Sequence, residues 1–273
     1  RQGRLYDYTA GLCAMILVLA GTQDGRELAG VLLDAGYPVA ASVVSRYGSE
    51  LLTRYADKGL VVNDQPLDAA GLVAYMQQLD ISLLVDASHP YAANASENAM
   101  AACRQQQVPY LRYERQGTPL VYDKLYRVAD YAAAARQAAA LGRKVFLTTG
   151  SHNLAAFSGA ECLRDHVLTA RVLPEPEVLQ QCLSLGFSPK QIIAMQGPFS
   201  LELNKELYKK YGAEVVVTKD SGSVGGTDTK AAAAIELGLP LVLIERPVVH
   251  YENFAQSFAA VLAFAARQPI AKR

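Results

Sequence analysis

The stretch from Ala14 to Ala29 constrains this chain more than any other. Seven consecutive apolar residues, Ala14 to Ala20, suit a central parallel strand covered on both faces. The run stops at Gly21, and Thr22, Gln23 and Asp24 make a polar turn. From Arg26 onward apolar residues recur at helical spacing, as Leu28, Ala29, Leu32 and Leu33. Strand, tight glycine turn and helix together open a nucleotide-binding βαβ unit, in which the helix N-terminus receives a pyrophosphate. Gly21 and Gly25 give G-x-x-x-G rather than the G-x-G-x-x-G of the dinucleotide fingerprint. Open α/β proteins that bind no nucleotide also begin this way.

The rest of the chain keeps the same rhythm. Strands are expected at 39–44, 60–62, 82–86 and 109–113, with helices at 67–79 and 93–106 between them. Residues 115–123 carry Gly, Thr and Pro and read as a linker. Further strands follow at 144–149, 166–173, 191–195, 214–218 and 241–244, with a helix near 228–237 and a closing helix at 252–267. Strands alternating with helices mean parallel sheets. The pattern predicts two successive Rossmann-like domains with the active site in the cleft between them. Residues 1–13 are expected to be a flexible extension, 14–115 a nucleotide-binding domain, 124–247 a second α/β domain on the substrate side, and 248–273 a C-terminal helix.

Composition removes several classes of function. Lys and Arg number 26 against 26 acidic residues, which argues against a bulk electrostatic grip on nucleic acid or an anionic membrane. Any anionic ligand must then be held by a local cluster. The cysteines, Cys13, Cys103, Cys162 and Cys182, form no C-x-x-C pair and read as thiols of a reducing, cytoplasmic compartment. The histidines include no H-E-x-x-H, so no metal cage is expected. No apolar segment reaches the ~18 residues that span a bilayer, and 1–13 lacks the apolar core of a signal peptide. Nothing in the pattern fixes an oligomeric state.

The turns after the strands hold the candidate chemistry. Gly21, Thr22, Asp24, Gly25 and Arg26 form the first. A carboxylate at Asp24 suits the helix dipole but repels a pyrophosphate; Arg26 offsets it, or Asp24 turns away to cap the helix. At the end of the second strand stand Ser45 and Arg46, with no acid nearer than Glu50. A hydroxyl and a guanidinium suit the 2′-phosphate of NADP better than the bare ribose of NAD, so NADPH is the expected cofactor, with NADH as the alternative. Ser88-His89-Pro90-Tyr91 follows another strand end, where His89 is either a phosphate or substrate contact or a plain loop histidine. Thr148-Thr149-Gly150-Ser151 and Lys219-Asp220-Ser221-Gly222 each place hydroxyls and a glycine before a helix, which opens backbone amides to anions. Residues 225–230 extend the second of these into a glycine-rich loop that could close over a ligand.

In combination these turns resemble the precorrin-6A reductase family of cobalamin biosynthesis. The matching pieces are residues 19–29, Asp86-Ala87-Ser88-His89-Pro90-Tyr91-Ala92, 145–150, Gln196-Gly197-Pro198-Phe199, Thr218-Lys219-Asp220-Ser221-Gly222, and Lys230 ahead of 236–240. Ala20 stands where a second glycine is usual, and Asp220 where Asn is common. The resemblance implies NAD(P)H-dependent reduction of one conjugated double bond of a ring-contracted tetrapyrrole, with or without cobalt. It implies cofactor contacts from the first turn, Ser45, Arg46, Ser88, His89, Thr149 and Gly150. The macrocycle's carboxylates would meet His89, Tyr91, Arg171, Lys219, Ser221, Gly222 and Lys230. Lys219 and Asp220 are the catalytic candidates, with a bound water as another proton source. A short-chain alcohol dehydrogenase would need Tyr-x-x-x-Lys, which the chain lacks, and no Gly-Lys exists for a P-loop. An NADP sensor without turnover is the remaining alternative.

Overall fold

In the computed structural model, which describes residues 14–44, 46–115, 117, 119–222 and 227–272, the apolar run becomes strand β1 (Met15–Leu19). Helix α1 (Gln23–Asp34) follows, capped by the Thr22 hydroxyl, which accepts the Gly25 N–H at 3.0 Å. The chain continues through β2 (Val39–Ser42), α2 (Arg46–Leu52), β3 (Val61–Asn63), α3 (Ala69–Gln78), β4 (Ile81–Asp86), α4 (Ala93–Gln106) and β5 (Tyr110–Tyr113). A second series runs β6 (Leu125–Val128), α5 (Tyr131–Leu141), β7 (Lys144–Leu147), α6 (Ala155–Ser158), β8 (Val167–Val172) and α7 (Pro176–Ser184). It is completed by β9 (Ile192–Ala194), α8 (Leu201–Lys210), β10 (Val215–Lys219), α9 (Thr227–Glu236) and β11 (Leu241–Ile244). Strand β12 (Phe254–Ala255) and helix α10 (Phe258–Ala265) close the chain.

These elements make two parallel-sheet α/β units, the fold class expected from the alternation. One unit takes the residues up to Arg115 and the segment from Val249; the other runs from Gln116 to Val248. In the first, the strand order is β12-β5-β4-β1-β2-β3, every pair parallel. Side chains on β1 alternate between two cores, as period-2 geometry requires. Ile16 and Val18 pack with Leu28 and Leu32 of α1 and Val261 of α10. Met15 and Leu17 pack with Leu72 and Met76 of α3 and with Ala99 and Cys103 of α4. Each such leucine taken from water contributes roughly 1.5–3 kcal/mol, so a strand covered on both faces anchors the unit.

The second unit orders its strands β6-β11-β10-β7-β8-β9, again all parallel. Phe146 and Val216 pack against Leu207, Tyr208, Ala231 and Ala234 from α8 and α9. The alanine-rich stretch forms α5, and buried Ala134, Ala135 and Ala138 let it lie close on its sheet.

Two expectations are corrected. Residues 252–267 are not one helix: Phe254–Ala255 pairs with β5, and α10 begins only at Phe258, capped by Ser257. A two-residue strand carries no periodicity, and it is defined by its partner, through the ladder and through the Asn253 amide donating to the Tyr110 carbonyl at 2.9 Å. The stretch after the linker also adds an unforeseen edge strand, β6, paired to β11.

Candidate functional site

In the first unit, the carboxyl ends of β1 and β4 are tied together. The Thr22 hydroxyl, besides capping α1, donates to the Ala87 carbonyl at 2.8 Å. Gly25 is needed for packing: a Cβ there would sit 2.9 Å from Ala20 Cα and 3.2 Å from Ala87. Gly21 is the reverse case, exposed, with nothing within 4 Å of the place a Cβ would take. Backbone is therefore open to a ligand directly before the N-terminus of a long helix.

Asp24 neither caps α1 nor leans on Arg26. Its carboxylate meets Arg115 Nη2 at 2.8 Å. Burial pushes its pKa up, while Arg115 acts in the opposite direction. Arg26 is half-buried near Tyr47 of α2 and Arg54; burial lowers its pKa, Tyr47 opposes this and the Arg54 charge adds to it. Ser45 lies outside the described residues. Arg46 opens α2, but its side chain lies outside them too.

Beneath the turn after β4 is a buried polar network that the sequence did not reveal. Asp86 and Arg112 are both 0% exposed and pair at 3.1 Å. Asp86 also accepts the Ser88 N–H at 2.9 Å and the hydroxyls of Ser96 and Tyr110 at 2.6 Å each. Arg112 donates onward to Glu114 at 2.7 Å and to Ser88 Oγ at 3.2 Å. Burial works against the Asp86 charge, but Arg112 and the bonds from Ser88, Ser96 and Tyr110 outweigh it and hold its pKa below the usual carboxylate value. The network fixes the loop that carries His89. There His89 Nδ1 accepts the Tyr91 N–H at 3.2 Å, which leaves Nε2 as the protonated nitrogen of the neutral ring. The two rings stand 5.7 Å apart.

In the second unit the corresponding edge is basic. Arg171, on β8 and 5% exposed, donates to Asn204 Oδ1 at 2.7 Å and lies 3.9 Å over the Phe199 ring. Lys219 ends β10 and Lys230 stands in the first turn of α9. Burial lowers the pKa of Arg171 and of Lys219. Burial and then the charges of Arg171 and Lys219 bring Lys230 down to about 7. The structure thus gathers three of the expected carboxylate contacts into one cluster. Of the glycine-rich loop expected at 225–230, residues 225 and 226 lie outside the described residues and 227–230 open α9; the Thr227 hydroxyl accepts the Ser221 N–H at 3.1 Å and donates to the Lys219 carbonyl at 3.2 Å. Gly222 takes φ +73°, in the left-handed region. Arg246, missed in the sequence, donates to the Asp220 carbonyl at 2.9 Å and approaches its carboxylate at 3.6 Å.

Thr149 and Gly150, expected among the cofactor contacts, belong to this second unit, after β7. Gly150 has φ +79° and open space around it. Thr149 and Thr218 are buried, and neither hydroxyl has a hydrogen-bond partner among the described residues. No group of three or more His, Cys, Asp or Glu among the described residues could hold a metal ion.

A family model described as Precorrin-6x reductase CbiJ/CobK matches residues 15–266. The chain belongs to this family. Among members of the precorrin-6x reductase family, it is 41% identical over 249 residues to the cobalt-precorrin-6A reductase of Priestia megaterium, covering 91% of this chain and 96% of that one. It is 33% identical over 256 residues to the precorrin-6A reductase of Rhodobacter capsulatus, covering 92% and 95%. A solved structure of CobK precorrin-6A reductase superposes with a TM-score of 0.76 at 30% identity, covering 95% of this chain and 99% of that one.

Membership of a reductase family implies a nicotinamide cofactor, and the first unit's edge fits one. The open backbone at Gly21 faces no side chain of its own, α1 supplies a twelve-residue dipole, and Arg115 offsets the one carboxylate in its first turn.

Proposed function

We propose that the chain is an NADPH-dependent reductase that saturates one conjugated double bond of precorrin-6A or its cobalt form, giving the 6B compound of cobalamin biosynthesis. When bound, the reduced nicotinamide supplies the hydride. The residues of this chain supply position, charge and a proton. Gly21, Thr22 and Gly25 cradle the pyrophosphate at the start of α1, with Asp24 restrained by Arg115. Ser88, His89 and Tyr91 form the neighbouring wall, where the His89 Nε2–H donates to a cofactor or substrate oxygen. Arg26 and Arg54, with Ser45 and Arg46 next in the chain after β2, favour a 2′-phosphate and so NADPH over NADH.

The cluster of Arg171, Lys219 and Lys230 is the observation that carries this reading. Burial, and after it the charges of Arg171 and Lys219, disfavour the Lys230 ammonium, and a bound anion offsets both. A tetrapyrrole bearing acetate and propionate groups is such an anion. Ser221, Gly222, Thr149 and Gly150 complete the polar lining of this edge, and Asp220 holds the Lys219 loop through Arg246. The test is oxidation of NADPH and NADH by purified protein with metal-free and cobalt precorrin-6A, read as loss of reduced-nicotinamide absorbance. Turnover with either tetrapyrrole is expected, faster with NADPH. Absence of turnover with both, while NADPH still binds, overturns the reductase reading.

A further inference from the structure

A buried guanidinium is ordinarily neutralised by a carboxylate, because burying an unpaired charge is costly. Arg112 follows this rule, with Asp86 at 3.1 Å and Glu114 at 2.7 Å. Arg171 breaks it. It is 5% exposed, and its partners among the described residues are neutral: the Asn204 amide oxygen at 2.7 Å from Nη1, and the Phe199 ring, 3.9 Å from the guanidinium carbon. Both partners are themselves fixed. Asn204, 0% exposed, donates its amide nitrogen to the Ser200 carbonyl at 2.8 Å, so its oxygen must face Arg171. Ser200 in turn caps α8, its hydroxyl accepting the Leu203 N–H at 3.1 Å. The Phe199 ring is seated against Gly197, where a Cβ would lie 3.0 Å from Phe199 Cε2. Residues 197–204, which include most of the motif Gln196-Gly197-Pro198-Phe199, therefore form one holder for a single guanidinium.

We propose that Phe199 and Asn204 are positioning residues that present the Arg171 guanidinium, its charge uncompensated, to one acetate or propionate carboxylate of the tetrapyrrole, which rests on the reductase reading above. A carboxylate at position 204 would be favoured twice, by the positive end of α8 and by Arg171 itself. The chain places a neutral amide there instead. The amide and the ring orient the guanidinium without spending its charge, as an acid in the same place would. Its Nε and Nη2 donate to no described residue and form the fork that makes paired bonds to a carboxylate. Stability forgone in this way is characteristic of functional positions. The contrast with Arg112 is the key to it: a guanidinium that already holds two carboxylates has nothing left for a ligand.

The test measures KM and kcat with NADPH and precorrin-6A, in whichever of its metal-free and cobalt forms the wild type turns over. Asn204→Asp closes an ion pair on Arg171, so KM for the tetrapyrrole should rise about 10–100-fold. Its kcat should stay within about threefold of wild type, with NADPH affinity unchanged. Phe199→Leu removes the stacked face and should raise the same KM by about threefold to tenfold; Phe199→Tyr, which keeps the face, should restore it. Arg171→Gln should itself raise KM about 10–100-fold, and adding Phe199→Leu to it should cost nothing further, whereas a residue that only supports the fold would add its effect in full. Cooperative melting and unchanged NADPH affinity show that a variant is folded. A folded Asn204→Asp with wild-type KM, or a Phe199→Leu effect undiminished in the Arg171→Gln enzyme, overturns the inference and leaves the reductase reading intact. Should Asn204→Asp fail to fold, the Phe199 and Arg171 variants decide alone. A wild type that turns over neither tetrapyrrole removes both.

Discussion

The two units are built on one plan, but matching strand ends carry different charge. The order β12-β5-β4-β1-β2-β3 matches β6-β11-β10-β7-β8-β9 strand for strand, except that the outermost strand comes late in the chain in one and early in the other. Even a dipeptide recurs: Glu114-Arg115 follows β5 and Glu245-Arg246 follows β11. Each arginine reaches an acid in a neighbouring turn, Asp24 and Asp220 respectively. The difference lies one step inside the sheet. At the last register pair of β4 with β5 stand Asp86 and Arg112, which neutralise each other. At the last pair of β10 with β11 stand Lys219 and Ile244. The same position therefore holds a closed ion pair in one unit and a cation opposite an apolar side chain in the other. Buried opposite charges paired within the fold contribute to structure; the like charges of Arg171, Lys219 and Lys230 are where the tetrapyrrole is proposed to bind.

Breaking the paired charge should have the largest effect. Asp86→Ala leaves the buried Arg112 with Glu114 as its one remaining carboxylate and removes the acceptor of Ser88, Ser96 and Tyr110, and is expected to lower the unfolding free energy by about 3 kcal/mol in urea titrations. Since the Asp86 pKa is depressed in the folded protein, its stabilisation is present above the unfolded carboxylate value and lost as pH falls through the lower folded one. A cost under about 1 kcal/mol would mean that the Asp86–Arg112 pair is no keystone of the first unit.

The opposite sign is expected at Lys230. Its pKa drops from 10.5 to about 7 on folding, so between those values the unfolded chain binds more protons and stability rises with pH. Below about 7 both states are protonated and the folded protein bears the full cost of the charge. Lys230→Met should therefore stabilise the ligand-free protein at neutral pH, by on the order of 1–3 kcal/mol, and should flatten that pH dependence. Melting curves of both proteins across the range check this. A destabilised Lys230→Met would show that the ammonium is a net support of the fold, and the contrast between the units would fail.

Glycines sharpen the comparison at smaller scale. Gly21 and Gly150 both follow the central strand of their sheets, and both have open space around them, but only Gly150 has a positive φ. Gly150→Ala is expected to cost about 1 kcal/mol through backbone strain alone. Gly21→Ala should melt like wild type while NADPH affinity falls about tenfold, or about 1.4 kcal/mol, because the methyl occupies the cradle. Unchanged NADPH affinity in Gly21→Ala would move the pyrophosphate away from α1.

Local signals in the sequence were enough for the core of both units. The helix expected at 93–106 is α4 to the residue, because its apolar spacing and the turns flanking it are all contained in the segment. What escaped is non-local. Strands β6 and β12 are short edge strands whose existence depends on β11 and β5. Arg112 carries no local signal of its role, since its partner Asp86 is 26 residues earlier. The residues of the basic cluster were legible one by one, as strand-end or loop cations. Their convergence with a buried Arg171 was not, because it depends on how β8, β10 and α9 pack together.

The smallest expected effect concerns the repeated arginines. Arg115 is 38% exposed where it meets Asp24, so the pair itself contributes at most about 1 kcal/mol to stability. Its consequence for binding is larger than for folding, because releasing Asp24 restores a negative charge in the first turn of α1, where the pyrophosphate is proposed to lie. Arg115→Ala is therefore expected to weaken NADPH severalfold in calorimetry, more at low salt than at high, and to leave tetrapyrrole binding alone. Arg246→Ala should do the converse: it loosens Asp220 beside Lys219, raising KM for the tetrapyrrole with NADPH affinity unchanged. If both variants instead shift the same ligand, the two edges do not divide cofactor from substrate, and the different charge at their matching strand ends must serve some other end.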